Sequence, residues 1–155
     1  MIDISKFVSR RPRVCEPSTR TKQQAKSIQI SNAKDILVNR VLNQIADAYK
    51  ENPETDIMAV EVAVDDGFIE RLGVSLAQFE EITTKPIQGI SIVHMGYEDA
   101  DIDGVYSSHL TSVIISPSRA GWKAIASELG ETPAWANEKE RKLYRLVYHY
   151  GGILK

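Results

Sequence analysis

Two runs rich in β-branched residues, Ile87 to Met95 and Tyr106 to Ser116, flank one short acidic stretch, and this arrangement constrains the fold more than any other feature of the chain. Runs so placed read as an antiparallel hairpin. With Ile57-Met-Ala-Val-Glu-Val-Ala-Val64 as a further strand and Ser27-Ile-Gln-Ile-Ser31 alternating like an edge strand, the expectation is a small, mainly antiparallel sheet of three to four strands. Helical patterns around these runs supply about four to five helices to cover it, so the fold class is α+β. If the hairpin is centred between Asp101 and Ile102, His94 falls opposite His109, Tyr97 opposite Tyr106, Val93 opposite Leu110 and Ile90 opposite Val113. That register puts like beside like along most of the ladder.

The helices carry their own punctuation. Asn32 is placed to cap a helix with apolar positions Ala33, Ile36, Leu37, Val41, Ile45, Ala48 and Tyr49, stopped by Asn52-Pro53. Phe68 to Leu72 reads as a short helix. Ser75 caps the next, with Gln78 completing a capping box. Ser116-Pro117 opens a helix through Trp122, Ile125, Ala126 and Leu129, ended by Gly130, and Thr132-Pro133 opens the last through Leu143, Leu146, Val147 and Tyr150.

At 155 residues, with 43% apolar and 26% charged residues, the chain has the size and balance of one globular domain, expected over 27–155. Residues 1–26 differ. They hold seven cations, including Arg10, Arg11, Arg13, Arg20 and Lys22, two prolines and few apolar anchors beyond Ile2, Ile4 and Phe7, which reads as a flexible basic arm. The start reaches Asp3 and Lys6 before any secretory apolar stretch forms, and no run approaches the length of a membrane span, so the expected location is cytoplasmic, without membrane contact. Cys15, the sole cysteine, makes no internal disulfide and has no metal-type spacing around it.

The net charge of −2 conceals segregation: residues 1–40 carry nine Lys/Arg against three Asp/Glu, residues 41–104 three against fourteen, and residues 105–155 seven against four. Basic ends and an acidic middle suit docking on an unlike partner or stacking of copies head to tail. The ordinary alternative is that charge simply follows exposure.

Four constellations carry chemistry. Phe68 to Ile82 resembles a helix-turn-helix, with Gly73 at the tight turn, Val74 plugging the angle and Ser75 capping the second helix. That resemblance implies DNA reading, yet the second helix offers Gln78, Glu80 and Glu81 and no cation before Lys85; the ordinary reading is a corner packing Leu72, Val74, Leu76 and Phe79. Asp99-Ala-Asp101-Ile-Asp103-Gly104 resembles the opening of an EF-hand calcium loop, but Leu110 stands where the bidentate glutamate belongs and both flanks read as strands. Opposed His94 and His109 beside Asp99, Asp101 and Asp103 form a candidate site for weakly held calcium or zinc, against a neutral histidine pair. In the last helix, Lys142, Arg145 and His149 share one stripe and Tyr144 and Tyr148 another, suited to gripping and stacking on a nucleic acid, or simply to opposing the helix dipole.

Catalytic motifs are missing: there is no phosphate-cradling glycine pattern, no Gly-x-Ser-x-Gly and no His-Glu-x-x-His. The expectation is a non-enzymatic binding or assembly protein, without cofactor, that docks on a protein partner or on copies of itself through its basic arm and acidic middle. The alternatives are a nucleic-acid-binding regulator, using Arg10, Arg11, Arg13, Arg20, Lys22, Lys142, Arg145 and Tyr148, and a small metal-dependent enzyme at the 94–109 hairpin.

Overall fold

The computed structural model describes Ile2 and residues 22–149; Cys15, Arg10, Arg11, Arg13, Arg20, Ile4 and Phe7 lie outside them. The order of elements is α1 (Lys22–Glu51), β1 (Val60–Ala63), α2 (Asp66–Leu72), α3 (Leu76–Thr83), β2 (Ile90–Ile102), β3 (Val105–Pro117), α4 (Arg119–Leu129) and α5 (Pro133–His149). The fold is α+β, as the hairpin and the helical patterns imply.

α1 overturns the expected edge strand at Ser27–Ser31, which is helical throughout. The two-residue alternation of Ile28 and Ile30 is too short to outweigh the longer period in which Ile30 feeds a stripe at Ala33, Leu37, Val41 and Ile45. Asn32 is therefore an interior residue rather than a cap, and the helix already includes Lys22 to Lys26 from the expected arm. Ala33, Leu37, Val41, Ile45 and Tyr49 are buried as the period requires, whereas Ile36 stays 43% exposed. Ile2 anchors the N-terminal tip here: it is buried, and its backbone N–H donates to Asn43 Oδ1 at 3.1 Å.

The sheet has the order β1-β3-β2, all antiparallel. Val60 pairs with Ile115 and Val62 with Val113 on the face turned to the helices, while Glu61 and Ala63 point the other way and are exposed. The inner face packs into one cluster with Leu37, Val41 and Ile45 of α1 and with Trp122 and Ile125 of α4. Each such side chain contributes about 1.5–3 kcal/mol on leaving water.

The helical corner forms as its residues dictate. Asp65 caps α2 through Phe68 N, Gly73 takes φ 74 at its C-terminus, and Ser75 and Gln78 close the capping box of α3. Phe68 and Phe79 meet edge to face at 5.4 Å, and the Gln29 side chain donates to Gly73 O, tying the corner to α1. Leu76, expected to pack, is 38% exposed instead. Downstream, the helix cap lies at Ser118, two residues later than expected, because Ser116 and Pro117 still pair with Ser91 and Ile90 as the end of β3. Thr132 opens α5 as expected, its Oγ1 accepting from Trp135 N at 3.3 Å.

Candidate docking surfaces

The hairpin is longer and differently registered than its sequence suggested. The acidic stretch is not a loop: both strands continue through it to a two-residue turn at Asp103 (φ 54) and Gly104 (φ 79). Two successive positive φ angles are the signature of a type I′ turn, for which Asp-Gly is a favoured dipeptide, and that turn fixes the register. Pairing consequently shifts. His109 lies opposite Glu98 and His94 opposite Ile114, with extra residues at Val93 in β2 and Thr111 in β3.

The two histidines are thus about 16 Å apart along β3, because His94 lies opposite Ile114, five residue steps from His109. The expected His94–His109 couple does not form, and with it the zinc argument loses its geometry. Asp99 and Asp101 face Ser108 and Tyr106, Asp103 sits in the turn, and among the described residues no group of three or more His, Cys, Asp or Glu is placed to hold a metal ion.

What the register builds instead is a projecting ribbon. β1 pairs with β3 only from Ser112 to Ile115, and Val64 N–H reaches Thr111 O, so from Thr111 toward the turn the two hairpin strands have no third neighbour among the described residues. From Tyr97 to Asp99 and from Asp103 to His109 every residue is exposed. Tyr97 and Tyr106 are 53% and 68% exposed, large rings left in water. Alternation along an unbroken register places Tyr97, Asp99 and Asp101 on the same side as Tyr106 and Ser108. Glu98, Asp99, Asp101 and Asp103 make the hairpin acidic, and no Lys or Arg occurs between Lys85 and Arg119.

The opposite end of the molecule is basic. α4 and α5 pack side by side, and Arg119, Glu138, Glu140, Arg141, Tyr144 and Arg145 line an open groove of about 710 Å³ between them. Arg119 Nε bonds both Glu140 carboxylate oxygens, at 3.2 and 3.1 Å, and Lys142 pairs with Glu138 at 3.6 Å. Arg141 and Arg145 have no carboxylate partner among the described residues, and Tyr144 beside them is 66% exposed. Of the residues expected here, Arg145 lines the groove, while Lys142 is drawn to Glu138; the side chain of Tyr148 lies outside the described residues, as does that of Lys22. Arg141 was legible from its place one turn before Arg145. Arg119, 22 residues before Arg141, is brought there only by packing.

A second cleft, of about 350 Å³, lies between Tyr49, Pro53, Glu128, Glu131 and Trp135. Its chemistry is internal to the fold. Lys50 Nζ crosses it to Glu128 at 2.8 Å, and this hydrogen bond is the largest of the several attractions that together hold the Glu128 carboxyl down at about 2. Behind it Lys139 Nζ sits 5.0 Å from the Tyr49 ring centre and 5.4 Å from that of Trp135, with Asp56 at 3.8 Å. Burial, aided by Asp56, pushes the Tyr49 phenol up to about 12. The helix-turn-helix corner carries no Lys or Arg on α3, and its Gly73 and Phe79 are occupied in holding it to α1 and α2. No helix among the described residues is long and apolar enough to cross a membrane. The chain matches no family model, no curated protein and no solved structure.

Proposed function

We propose that this protein is a binding and assembly protein whose docking element is the acidic β2–β3 ribbon. The observation that carries the reading is the run of exposed residues beyond Thr111, where a two-stranded hairpin stands clear of the sheet with Tyr97, Val105 and Tyr106 in water. An isolated two-stranded hairpin is only marginally stable and exposes apolar surface, which a partner's surface would cover. Its β2 edge, unpaired among the described residues, carries Glu98, Asp99 and Asp101, charges that discourage pairing of like hairpins edge to edge. Recognition therefore runs through side chains, acidic and aromatic, and favours a basic surface.

Replacing residues 98–109 with a short Asn-Gly turn tests this. The body, whose core reaches along β3 toward the turn only as far as Leu110, is expected to unfold with nearly the parent's cooperativity, while association with itself or with proteins co-purified from its native cell is lost. Unchanged association after this shortening would refute the reading.

A further inference from the structure

We infer that the surface the ribbon docks on is the α4–α5 groove of a second copy of this chain, a head-to-tail contact. This rests on the reading of the ribbon as a docking element and names its partner.

The two surfaces match in charge and in spacing. Asp99 and Asp101 lie two residues apart on one side of a strand, a repeat of about 6.7 Å. Arg141 and Arg145 lie four residues apart on one helix, a repeat of about 6 Å. Two carboxylates can thus meet two guanidinium groups in parallel, the arrangement that gives arginine its strongest ion pairs. Tyr106, opposite Asp101 and on the same side of the ribbon, then comes beside Tyr144 and the arginine planes, where aromatic and guanidinium faces stack.

The contact cannot close within one molecule. From Tyr106 near the ribbon tip to Pro117 at the base, β3 rises on the order of 35 Å, and Arg119 follows two residues later at the groove. The acidic and basic surfaces therefore sit at opposite ends of one strand. Two ribbons meeting as equals would also place acid against acid. What remains is an unlike pairing, ribbon of one copy to groove of the next, which closes into a ring or continues as a filament. A nucleic acid fits the groove less well, because its charge repeats along its whole length while Arg141 and Arg145 are flanked by Glu138 and Glu140.

The experiment uses the full chain in three forms: parent, Asp99→Asn with Asp101→Asn, and Arg141→Gln with Arg145→Gln. Sedimentation velocity is read at low and high salt, and thermal unfolding checks that each variant is folded. The parent is expected to associate with concentration at low salt and to dissociate as salt rises. Each variant alone should associate at least about tenfold more weakly, as expected when one side of a close charge pair is removed. Mixed in equal amounts, the two variants should form a 1:1 complex and nothing larger, since one intact ribbon and one intact groove remain.

A parent that stays monomeric, a mixture that forms no complex, or a variant that assembles as the parent does would each overturn the inference. Retention of a single-stranded oligonucleotide by a monomeric parent, lost in Arg141→Gln with Arg145→Gln, would assign the groove to nucleic acid instead. If the parent is monomeric but shortening the ribbon still removes a co-purifying protein, the proposed function stands and only its assignment to a second copy falls.

Discussion

Gly121→Ala should destabilise the protein even though the position is helical. A Cβ there would lie 2.1 Å from Gly89 O and 3.0 Å from both Leu42 Cδ2 and Pro117 Cβ. Alanine is preferred to glycine inside a helix by about 1 kcal/mol, which by itself predicts a gain. A carbon, however, approaches a carbonyl oxygen no closer than about 3.3 Å, so the first turn of α4 must retreat from the Gly89 loop by about 1 Å. The retreat strains the Ser118 N–H bond to Gly89 O, 3.0 Å long, a bond worth about 1 kcal/mol net. It also disturbs packing of a kind that costs about 1–3 kcal/mol when a core is overfilled. The net expectation is a loss of about 1–3 kcal/mol, or roughly 3–10 °C in Tm for a chain of this size. Gly67→Ala is the control: that glycine is exposed in α2 and its Cβ would meet only Asp65 Oδ1, at 3.5 Å, so a gain of about 0.4–1 kcal/mol is expected. Chemical denaturation of both variants measures the two signs. A Gly121→Ala protein as stable as the parent would show that α4 does not press on the Gly89 carbonyl, and the reasoning would fail.

Lys139 is nearly buried between the Tyr49 and Trp135 rings. Lys139→Met keeps the stem and the ring contacts and should stay within about 1 kcal/mol of the parent, whereas Lys139→Glu sets a carboxylate against the ring faces beside Asp56 and should cost about 3 kcal/mol or more in denaturant unfolding. Glu128 supplies a pH dependence. Its folded carboxyl, held at about 2 with the Lys50 hydrogen bond as the largest cause, binds fewer protons than the unfolded one at 4.5, so its contribution is present above 4.5 and is lost as the pH falls toward 2. Thermal unfolding of Glu128→Gln across that range should fall less steeply than that of the parent; parallel curves would count against a stabilising Glu128 carboxylate.

Much of the fold was written locally. The capping box at Ser75 and Gln78, the αL glycines at Gly73 and Gly130 and the Thr132-Pro133 start are short-range hydrogen-bond and φ requirements that a few neighbouring residues satisfy on their own. The hairpin register was legible too, but in a different signal. Matching like residues across the strands centred the turn between Asp101 and Ile102, while the dipeptide Asp103-Gly104, able to hold two positive φ angles, centres it two residues later. Side-chain likeness is a weak guide to pairing: the turn sets the offset, and the bulges at Val93 and Thr111, one on each strand, re-phase only the pairs from His94 to Gly96 between them.

Local residues, then, were enough for the existence of the hairpin, the caps at Ser75 and Thr132 and the segregation of charge: each depends on residues within a few positions of one another, or on composition alone. Only the tertiary structure decided that Ser27 to Ser31 joins α1, since that segment's apolar residues could serve either period and the core beside Ala33 and Leu37 selects the helical one. It alone decided that the hairpin outruns its sheet, which depends on where β1 stops. Arg119 likewise meets Arg141 and Arg145 only because α4 and α5 pack together, a contact no local rule encodes. Burial is a property of the whole chain, and a site made by apposition becomes visible only when the apposed surfaces exist.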